Sequence, residues 1–307
     1  MKRSSFVVKL TALFLFLTMG SSCMVVFAQS PFSSSYGRDK ISAIKARNSS
    51  SESLSVEALK RRIHEKDAIT QTVPEVKKET GAVTPKINKV ETITMIVSDA
   101  RYFNIYDSTK KDKKKIGTLK AYSKVKVLKV VGDYYKIDKG YINKKALLSQ
   151  QEFDKYTKRR GKLTAGLTKK SNASIDDIKV ITKRYTRLKG MELTFLICEE
   201  EYGINAITTL SCCILESHAG ESHIGRAKNN MFGIAAYDWD PFNCAKTFDT
   251  LADCLDYWYN MIIEGYINEG RDTLEKMQSK YCTNNKWASM IHQIERQNIK
   301  KMEDANK

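Results

Sequence analysis

Hydrophobic and polar residues alternate along residues 90–150, which is the spacing of β-strands that bury one face. The alternation is clearest in residues 125–131 and 134–137, and Gly132-Asp133 provides a turn between these two segments. A second turn is predicted at residues 138–140. Several short strands in such a stretch predict a small barrel or sandwich.

The apolar spacing becomes helical after residue 173. Ser174, with Asp177 three residues later, predicts a capping box at the start of the first helix. Further helices are predicted at about 191–201, 205–217, 250–264, 274–281 and 287–300, with an irregular or strand-like insertion around 231–248. The pattern therefore predicts a mostly helical domain over residues 174–302, preceded by a basic linker at residues 151–173.

Residues 1–28 have the composition of an export signal. Basic residues precede an apolar run at residues 10–19, and the small residue Ala28 ends the segment. Because the apolar run is short for a bilayer span, we expect cleavage, with a retained membrane anchor as the alternative. Cys23 leaves lipidation as a third option, although Gly20 does not fit the usual apolar residue three positions earlier. A secreted or cell-envelope location is predicted.

The chain carries a net charge of +17, and its excess of basic residues lies before residue 191. Residues 90–150 contain 14 Lys and Arg against 6 Asp and Glu, whereas residues 191–307 contain 11 against 18. Predicted export argues against nucleic acid as a partner and favours anionic polymers of the cell envelope. Residues 29–89 are polar and poor in aromatic side chains, which predicts a disordered stalk. The protein is predicted to be a monomer.

Six of the seven cysteines lie after residue 190. An even number of cysteines in one exported domain predicts disulfide bonds, and fifteen pairings are possible. The cysteines lack the Cys-x-x-Cys spacing with matching histidines that zinc sites use, so no metal site and no cofactor are predicted.

Glu216 is the clearest candidate for a catalytic residue, because it ends an otherwise apolar predicted helix. The negative end of the helix dipole and a poorly solvated wall both favour the neutral form of a carboxyl group. A carboxyl that is protonated at neutral pH can protonate a departing sugar oxygen. Gly220 lets the chain turn away, and Asn229 and Asn230 offer amides that could orient sugar hydroxyls or hold a loop.

The β region also matches a known module. Its segments Asn104-Ile105-Tyr106, Gly132-Asp133-Tyr134-Tyr135-Lys136-Ile137 and Gly140-Tyr141-Ile142 resemble a bacterial SH3-like domain over residues 93–148. Modules of this kind in wall hydrolases commonly bind wall peptide or glycan, so the resemblance implies that role. A spacer barrel without a ligand is the alternative, because a fold alone does not establish a function.

The segments Glu216-Ser217-x-x-Gly220-x-Ser222 and Asn229-Asn230-x-Phe232-Gly233-Ile234 resemble the glucosaminidase domain of glycoside hydrolase family 73, over about residues 174–300. The resemblance implies cleavage of the β-1,4 bond after N-acetylglucosamine in peptidoglycan, with Glu216 as the general acid. The predicted fold is therefore multidomain, with a small all-β SH3-like barrel followed by a mostly α, lysozyme-like (α+β) catalytic domain. His218 and Ala219 depart from the glycine and aromatic residue that the family usually has there.

The sequence offers more than one candidate for the second catalytic group. Asp249 is the carboxylate candidate and Asp253 lies nearby, but helix capping would explain both residues. The substrate's own N-acetyl group could act as the nucleophile instead. Tyr281 loosely matches a tyrosine that shapes the family's site. The substrate-binding candidates are Asn229, Asn230, Phe232 and Tyr237.

Two other functions remain compatible with these motifs. A lytic transglycosylase also uses a single glutamate on this type of fold, but releases anhydro-muramyl ends. A wall-binding protein without catalytic activity is the second alternative, and the presence of Glu216, Asn229 and Asn230 argues against it.

Overall fold

Eight short strands form the first part of the described chain. The computed structural model describes residues 93–307, so the predicted signal segment, the predicted stalk and residues 90–92 lie outside it. The strands are β1 (Ile93–Val97), β2 (Asn104–Tyr106), β3 (Lys115–Thr118), β4 (Lys124–Val127), β5 (Lys129–Val131), β6 (Tyr134–Ile137), β7 (Gly140–Asn143) and β8 (Leu147–Leu148). They make two antiparallel sheets, β4-β1-β8 and β3-β2-β7-β6-β5.

The two sheets share one apolar core. Val97 and Ile142 are fully buried, and Ile105 and Leu147 pack with them. Gly140 begins β7 with a φ of 144°, and a Cβ atom there would lie 2.5 Å from the carbonyl oxygen of Tyr106. Only glycine therefore allows β7 to approach β2 this closely. The short strands predicted from the alternating pattern are present.

Nine helices follow in the described residues. They are α1 (Gln150–Asp154), α2 (Ile175–Thr182), α3 (Glu192–Tyr202), α4 (Ala206–Ser217), α5 (His223–Lys228), α6 (Pro241–Cys244), α7 (Leu251–Gly265), α8 (Leu274–Tyr281) and α9 (Trp287–Asp304). The predicted capping box is confirmed, because the Ser174 hydroxyl accepts from the amide of Asp177 and the Asp177 carboxylate accepts from the amide of Ser174. Helix α9 packs against α4 and α2. None of the helices described is long and apolar enough to cross a membrane.

The segment between α5 and α7 has the irregular form, and not the strand-like one, of the two predicted for residues 231–248. Residues 229–250 contain turns and the short helix α6, and no strand lies between residues 149 and 307. Asn229, Gly233 and Ala235 have positive φ angles, and Pro241 occupies the first turn of α6. These conformations interrupt an extended backbone, so a sheet ladder cannot form here.

Residues 155–173, the larger part of the linker predicted over residues 151–173, pack against the helices. Leu163 and Leu167 are buried in this segment. The carboxylate of Glu199 in α3 accepts from the amides of Ser171 and Ala206, at 2.7 and 2.8 Å. One partly buried side chain thus links the segment to the start of α4.

The six late cysteines are thiols in the structure, so the disulfide prediction is not met. Five of them are buried and pack as small apolar side chains, and Cys244 is partly exposed. Burial raises the pKa of the Cys198, Cys212 and Cys213 thiols well above the usual value. A thiol that stays protonated is a poor nucleophile, so these side chains act as core residues.

Arg101 joins the β region to the helices, and both parts belong to one compact unit over the described residues. Its side chain is only 4% exposed. The guanidinium donates to Asp99 beside it, to Glu201 in α3 and to Asp256 in α7, at 2.7, 2.6 and 2.8 Å. Because a buried charge without partners is costly, these three carboxylates hold the two regions in one arrangement.

Arg101→Met should lower the free energy of unfolding by about 3 kcal/mol, because the buried carboxylate of Asp99 then lacks its partner. Urea denaturation followed by circular dichroism measures this. Lys276→Met is the matched control, since Lys276 pairs with Asp272 at the surface and its loss should cost less than about 1 kcal/mol. Equal losses in the two variants would contradict a stabilising role for the buried cluster.

Candidate active site

Helix α4 carries the candidate acid, Glu216, near its C-terminal end. Its first ten residues include eight that are fully or nearly fully buried. The side chain of Asn205 caps the helix by accepting from the amide of Thr208 at 2.9 Å. The same side chain donates to the carbonyl oxygens of Thr164 and Lys169. The start of α4 is therefore anchored, and Glu216 lies at its far end.

The chain turns sharply after Glu216. His218, Ala219 and Gly220 all have left-handed backbone conformations, with φ angles of 54°, 60° and 80°. The Ser217 hydroxyl accepts from the amide of Gly220 at 2.7 Å and donates to the carbonyl oxygen of Met231 at 2.6 Å. The motif residues Ser217 and Gly220 thus end the helix and hold the next loop beside Glu216.

Trp287, the first residue of α9, is the direct partner of Glu216. Its indole Nε1 donates to Glu216 Oε1 at 2.7 Å, and its side chain is completely buried. Trp287 is not among the site residues predicted from the sequence. A signal was available, because a tryptophan inside a predicted apolar face needs an acceptor for its N–H group when it is buried.

A line of stacked aromatic rings supports this hydrogen bond. The ring of Tyr281 stacks on Trp287 with 4.5 Å between centroids. The indole of Trp258 donates to the Tyr281 hydroxyl at 3.3 Å, and Phe232 stacks on Trp258 at 4.6 Å. The structure therefore places Tyr281 behind Trp287, fully buried. It also places Phe232, a predicted substrate-binding residue, in the core with no exposed surface.

Burial raises the pKa of Glu216 to about 8, and the hydrogen bond from Trp287 opposes this rise. The nearby Cys282 contributes a smaller upward effect on the pKa. Glu216 keeps some contact with solvent, so a ligand could reach it. The carboxyl is consequently protonated at neutral pH and available to donate a proton.

Asn230 and Asn229 hold the loop between α5 and α7. The fully buried Asn230 donates to the carbonyl oxygens of Ile234 and Lys246 and accepts from the amide of Ile234. Asn229 accepts from Arg187 at 2.5 Å and donates to the carbonyl oxygens of residues 248 and 249. The sequence left two roles for these amides, orienting sugar hydroxyls or holding a loop. In the structure both side chains make hydrogen bonds that hold the loop.

The remaining candidates lie on or after the same loop. The side chain of Asp249 is exposed, whereas Asp253 accepts from the hydroxyl of Thr250 and takes part in capping α7. Tyr237 is partly buried, and its ring lies parallel to that of the exposed Trp239, 6.4 Å away. No group of three or more potential metal ligands occurs within residues 93–307.

Comparison with known proteins indicates the class of this site. Residues 194–300 match the family model described as Glucosaminidase: mannosyl-glycoprotein endo-beta-N-acetylglucosaminidase. The match contains Glu216, its aromatic neighbours and the loop, and it supports a glucosaminidase domain in this part of the chain.

Individual relatives agree with this class. A "Putative endo-beta-N-acetylglucosaminidase" of Streptococcus pneumoniae is 33% identical over 150 residues, which are 46% of this chain and 23% of the relative. A "Bifunctional autolysin" of Staphylococcus aureus is 28% identical over 157 residues, which are 42% of this chain and 13% of the relative. The chain thus spans less than a quarter of these curated relatives.

Solved structures of Staphylococcus aureus autolysin E also align with the chain. The complex with the muropeptide NAM-L-Ala-D-iGlu has 17% sequence identity and a TM-score of 0.38, over 56% of this chain and 85% of that chain. A catalytic mutant in complex with the disaccharide NAG-NAM has a TM-score of 0.40 at the same identity, over 55% and 84%.

Asn230→Ala should lower the free energy of unfolding by about 3 kcal/mol, because three hydrogen bonds are lost and the amide of the buried Ile234 is left without its acceptor. Thermal and urea melts measure the change. Asn243→Ala removes an exposed amide from the same loop and should cost less than about 0.5 kcal/mol. Normal stability of Asn230→Ala, combined with weakened glycan binding, would instead support a direct contact with substrate.

Proposed function

We propose that this protein is an exported peptidoglycan hydrolase, an endo-β-N-acetylglucosaminidase that cleaves the β-1,4 bond after N-acetylglucosamine. The observation that carries the proposal is the Glu216 carboxyl, which is held at the end of α4 with a pKa raised to about 8. It lies inside the segment that matches the glucosaminidase family. Cell-wall glycan strands are therefore the proposed substrate, and the cell envelope or its exterior is the proposed location.

In the proposed reaction, Glu216 transfers its proton to the glycosidic oxygen as the bond from that oxygen to the sugar's anomeric carbon breaks. The positive charge that develops on the sugar ring is met by the substrate's N-acetyl oxygen, and water then completes hydrolysis. We favour this route because Asp253 has a capping role and the Asp249 side chain lies exposed. Asp249 acting as a base on water is the alternative.

The product distinguishes the competing functions. A glucosaminidase leaves N-acetylglucosamine at the new reducing end, whereas a lytic transglycosylase leaves anhydro-muramyl ends. A non-catalytic wall-binding protein releases neither product. Mass spectrometry of muropeptides released by the purified protein separates the three.

The β region is proposed to be an SH3-like module that targets the enzyme to the wall. Its surface carries several lysines, and some lie over aromatic rings, with Lys136 Nζ 4.4 Å from the Tyr141 centroid and Lys113 Nζ 5.1 Å from that of Tyr106. Such a surface combines positive charge with flat apolar faces. Both features suit anionic wall polymers and sugar rings.

Glu216→Gln should reduce hydrolysis of purified walls by about 10²- to 10⁴-fold, because the amide cannot donate the proton. The fold should persist, since the amide oxygen can still accept from Trp287. Asp253→Asn serves as the control, with a melting temperature reduced by the equivalent of about 1 kcal/mol or less and a nearly normal initial rate. Wall clearing by Glu216→Gln within a few-fold of the parent would rule out the assignment of the acid.

Replacing the exposed lysines Lys124, Lys126 and Lys129 by glutamine in the full chain should reduce co-sedimentation with purified sacculi, most clearly at low salt. The matched control replaces three exposed lysines of α9 and its flanks, namely Lys286, Lys300 and Lys307. Both variants lose the same charge. An equal reduction in the two would mean that net charge, and not the β region, governs wall binding.

A further inference from the structure

The hydrogen bond from Trp287 to Glu216 makes the two oxygens of the Glu216 carboxyl group different. Oε1 accepts from the indole at 2.7 Å, and no other hydrogen bond to Glu216 is recorded within residues 93–307. An oxygen that accepts from an N–H donor behaves as the carbonyl oxygen of a neutral carboxyl group. The acidic proton is therefore assigned to Oε2, the oxygen that makes no hydrogen bond to the described residues.

We propose that Trp287 is the positioning residue of the general acid, because its indole N–H binds Oε1 and directs Oε2–H toward the glycosidic oxygen. This inference rests on the proposed function. During the step, the Oε2–H bond breaks, a new O–H bond forms on the leaving sugar, and Glu216 becomes a carboxylate. The hydrogen bond from Trp287 then becomes charge-assisted, so it is stronger after the transfer than before it. An interaction that strengthens along the reaction lowers the barrier.

The surroundings make Trp287 a rigid donor. Its ring is fully buried and stacked on Tyr281, which in turn accepts from Trp258. A donor held by packing needs no reorganisation when charge develops on its acceptor, which is the condition for electrostatic catalysis.

The titratable groups that face Glu216 come from its own helix, α4, and from the end of α8. Tyr281 ends α8 and Cys282 follows it, while Cys212 and Cys213 lie one turn earlier on α4. Burial raises the pKa of Tyr281, Cys212 and Cys213 well above their usual values, so these three groups stay neutral near pH 8. The alkaline limb of activity should therefore report chiefly the loss of the proton of Glu216.

Trp287→Phe keeps an aromatic ring and removes the donor. We expect kcat to fall about 10- to 100-fold with little change in KM, since a hydrogen bond to a developing charge is lost. The alkaline limb of the pH profile should move upward by about one to two pH units, because the carboxylate form of Glu216 loses its stabilising donor. A rate loss without movement of this limb would show that the residue is merely structural.

Trp258→Phe is the matched control. It removes an indole N–H from the same buried cluster, but one that donates to Tyr281 and not to Glu216. It should lower the melting temperature and leave the alkaline limb where it is in the parent. Equal movement of the limb in both variants would overturn the proposal.

A measurement on the parent protein avoids any failure of the variants to fold. The chain has three tryptophans, so a spectrum of ¹⁵N-labelled indole groups contains three signals. The Trp287 signal should shift with an apparent pKa of about 8 and lose that titration in Glu216→Gln, while exposed Trp239 stays unchanged. A Trp287 signal that is flat through about pH 6 to 10 would refute the inference even in an active enzyme. A titrating signal in a protein that releases no sugar would instead count against the proposed function.

Discussion

The helical region depends on burying one carboxyl group without leaving it unsatisfied. Glu216 stands at the end of the most apolar helix, where water is scarce and the helix dipole is unfavourable to negative charge. The fold meets this constraint by starting α9 with a tryptophan whose N–H reaches the carboxyl. Around that contact, Tyr281, Trp258 and Phe232 form a continuous aromatic wall that ties α7, α8 and α9 to the loop beyond α5. The aromatic side chains that pack this region thus also form the surroundings of the Glu216 carboxyl.

Local patterns in the sequence predicted the elements well. The capping box at Ser174 and the helix Leu274–Tyr281 could be read from short-range spacing, because caps and amphipathic stripes depend on neighbours only a few residues away. Glu216 was also identifiable, since a charged residue in an apolar run is a local anomaly. For Trp287 the sequence indicates only that a buried indole needs an acceptor. Which acceptor it uses could not be predicted, because Glu216 lies 71 residues earlier.

The roles of the two asparagines and of the cysteines could not be obtained from the sequence either. Asn229 and Asn230 have side chains that suit sugars and backbone carbonyls equally, and only the folded loop shows which partners are within reach. The number of cysteines in this domain is even, which predicts disulfide bonds, yet five of the six are buried thiols in the core. Arg101 gave no sequence signal at all, because its three acidic partners come from the β region and two separate helices.

The loop between α5 and α7 owes its shape to side-chain amides and not to a ladder of strand pairing. Asn229 and Asn230 lie at the start of the loop and donate hydrogen bonds to carbonyl oxygens near its end. The stretch from Tyr237 to Asn243 contributes little to the core and exposes Trp239 and Phe242 to solvent. A segment clamped at its base can change in length and composition without disturbing the register of any neighbour. Substitutions and insertions between Tyr237 and Asn243 should therefore be tolerated, while Glu216 and the aromatic side chains around it keep their positions.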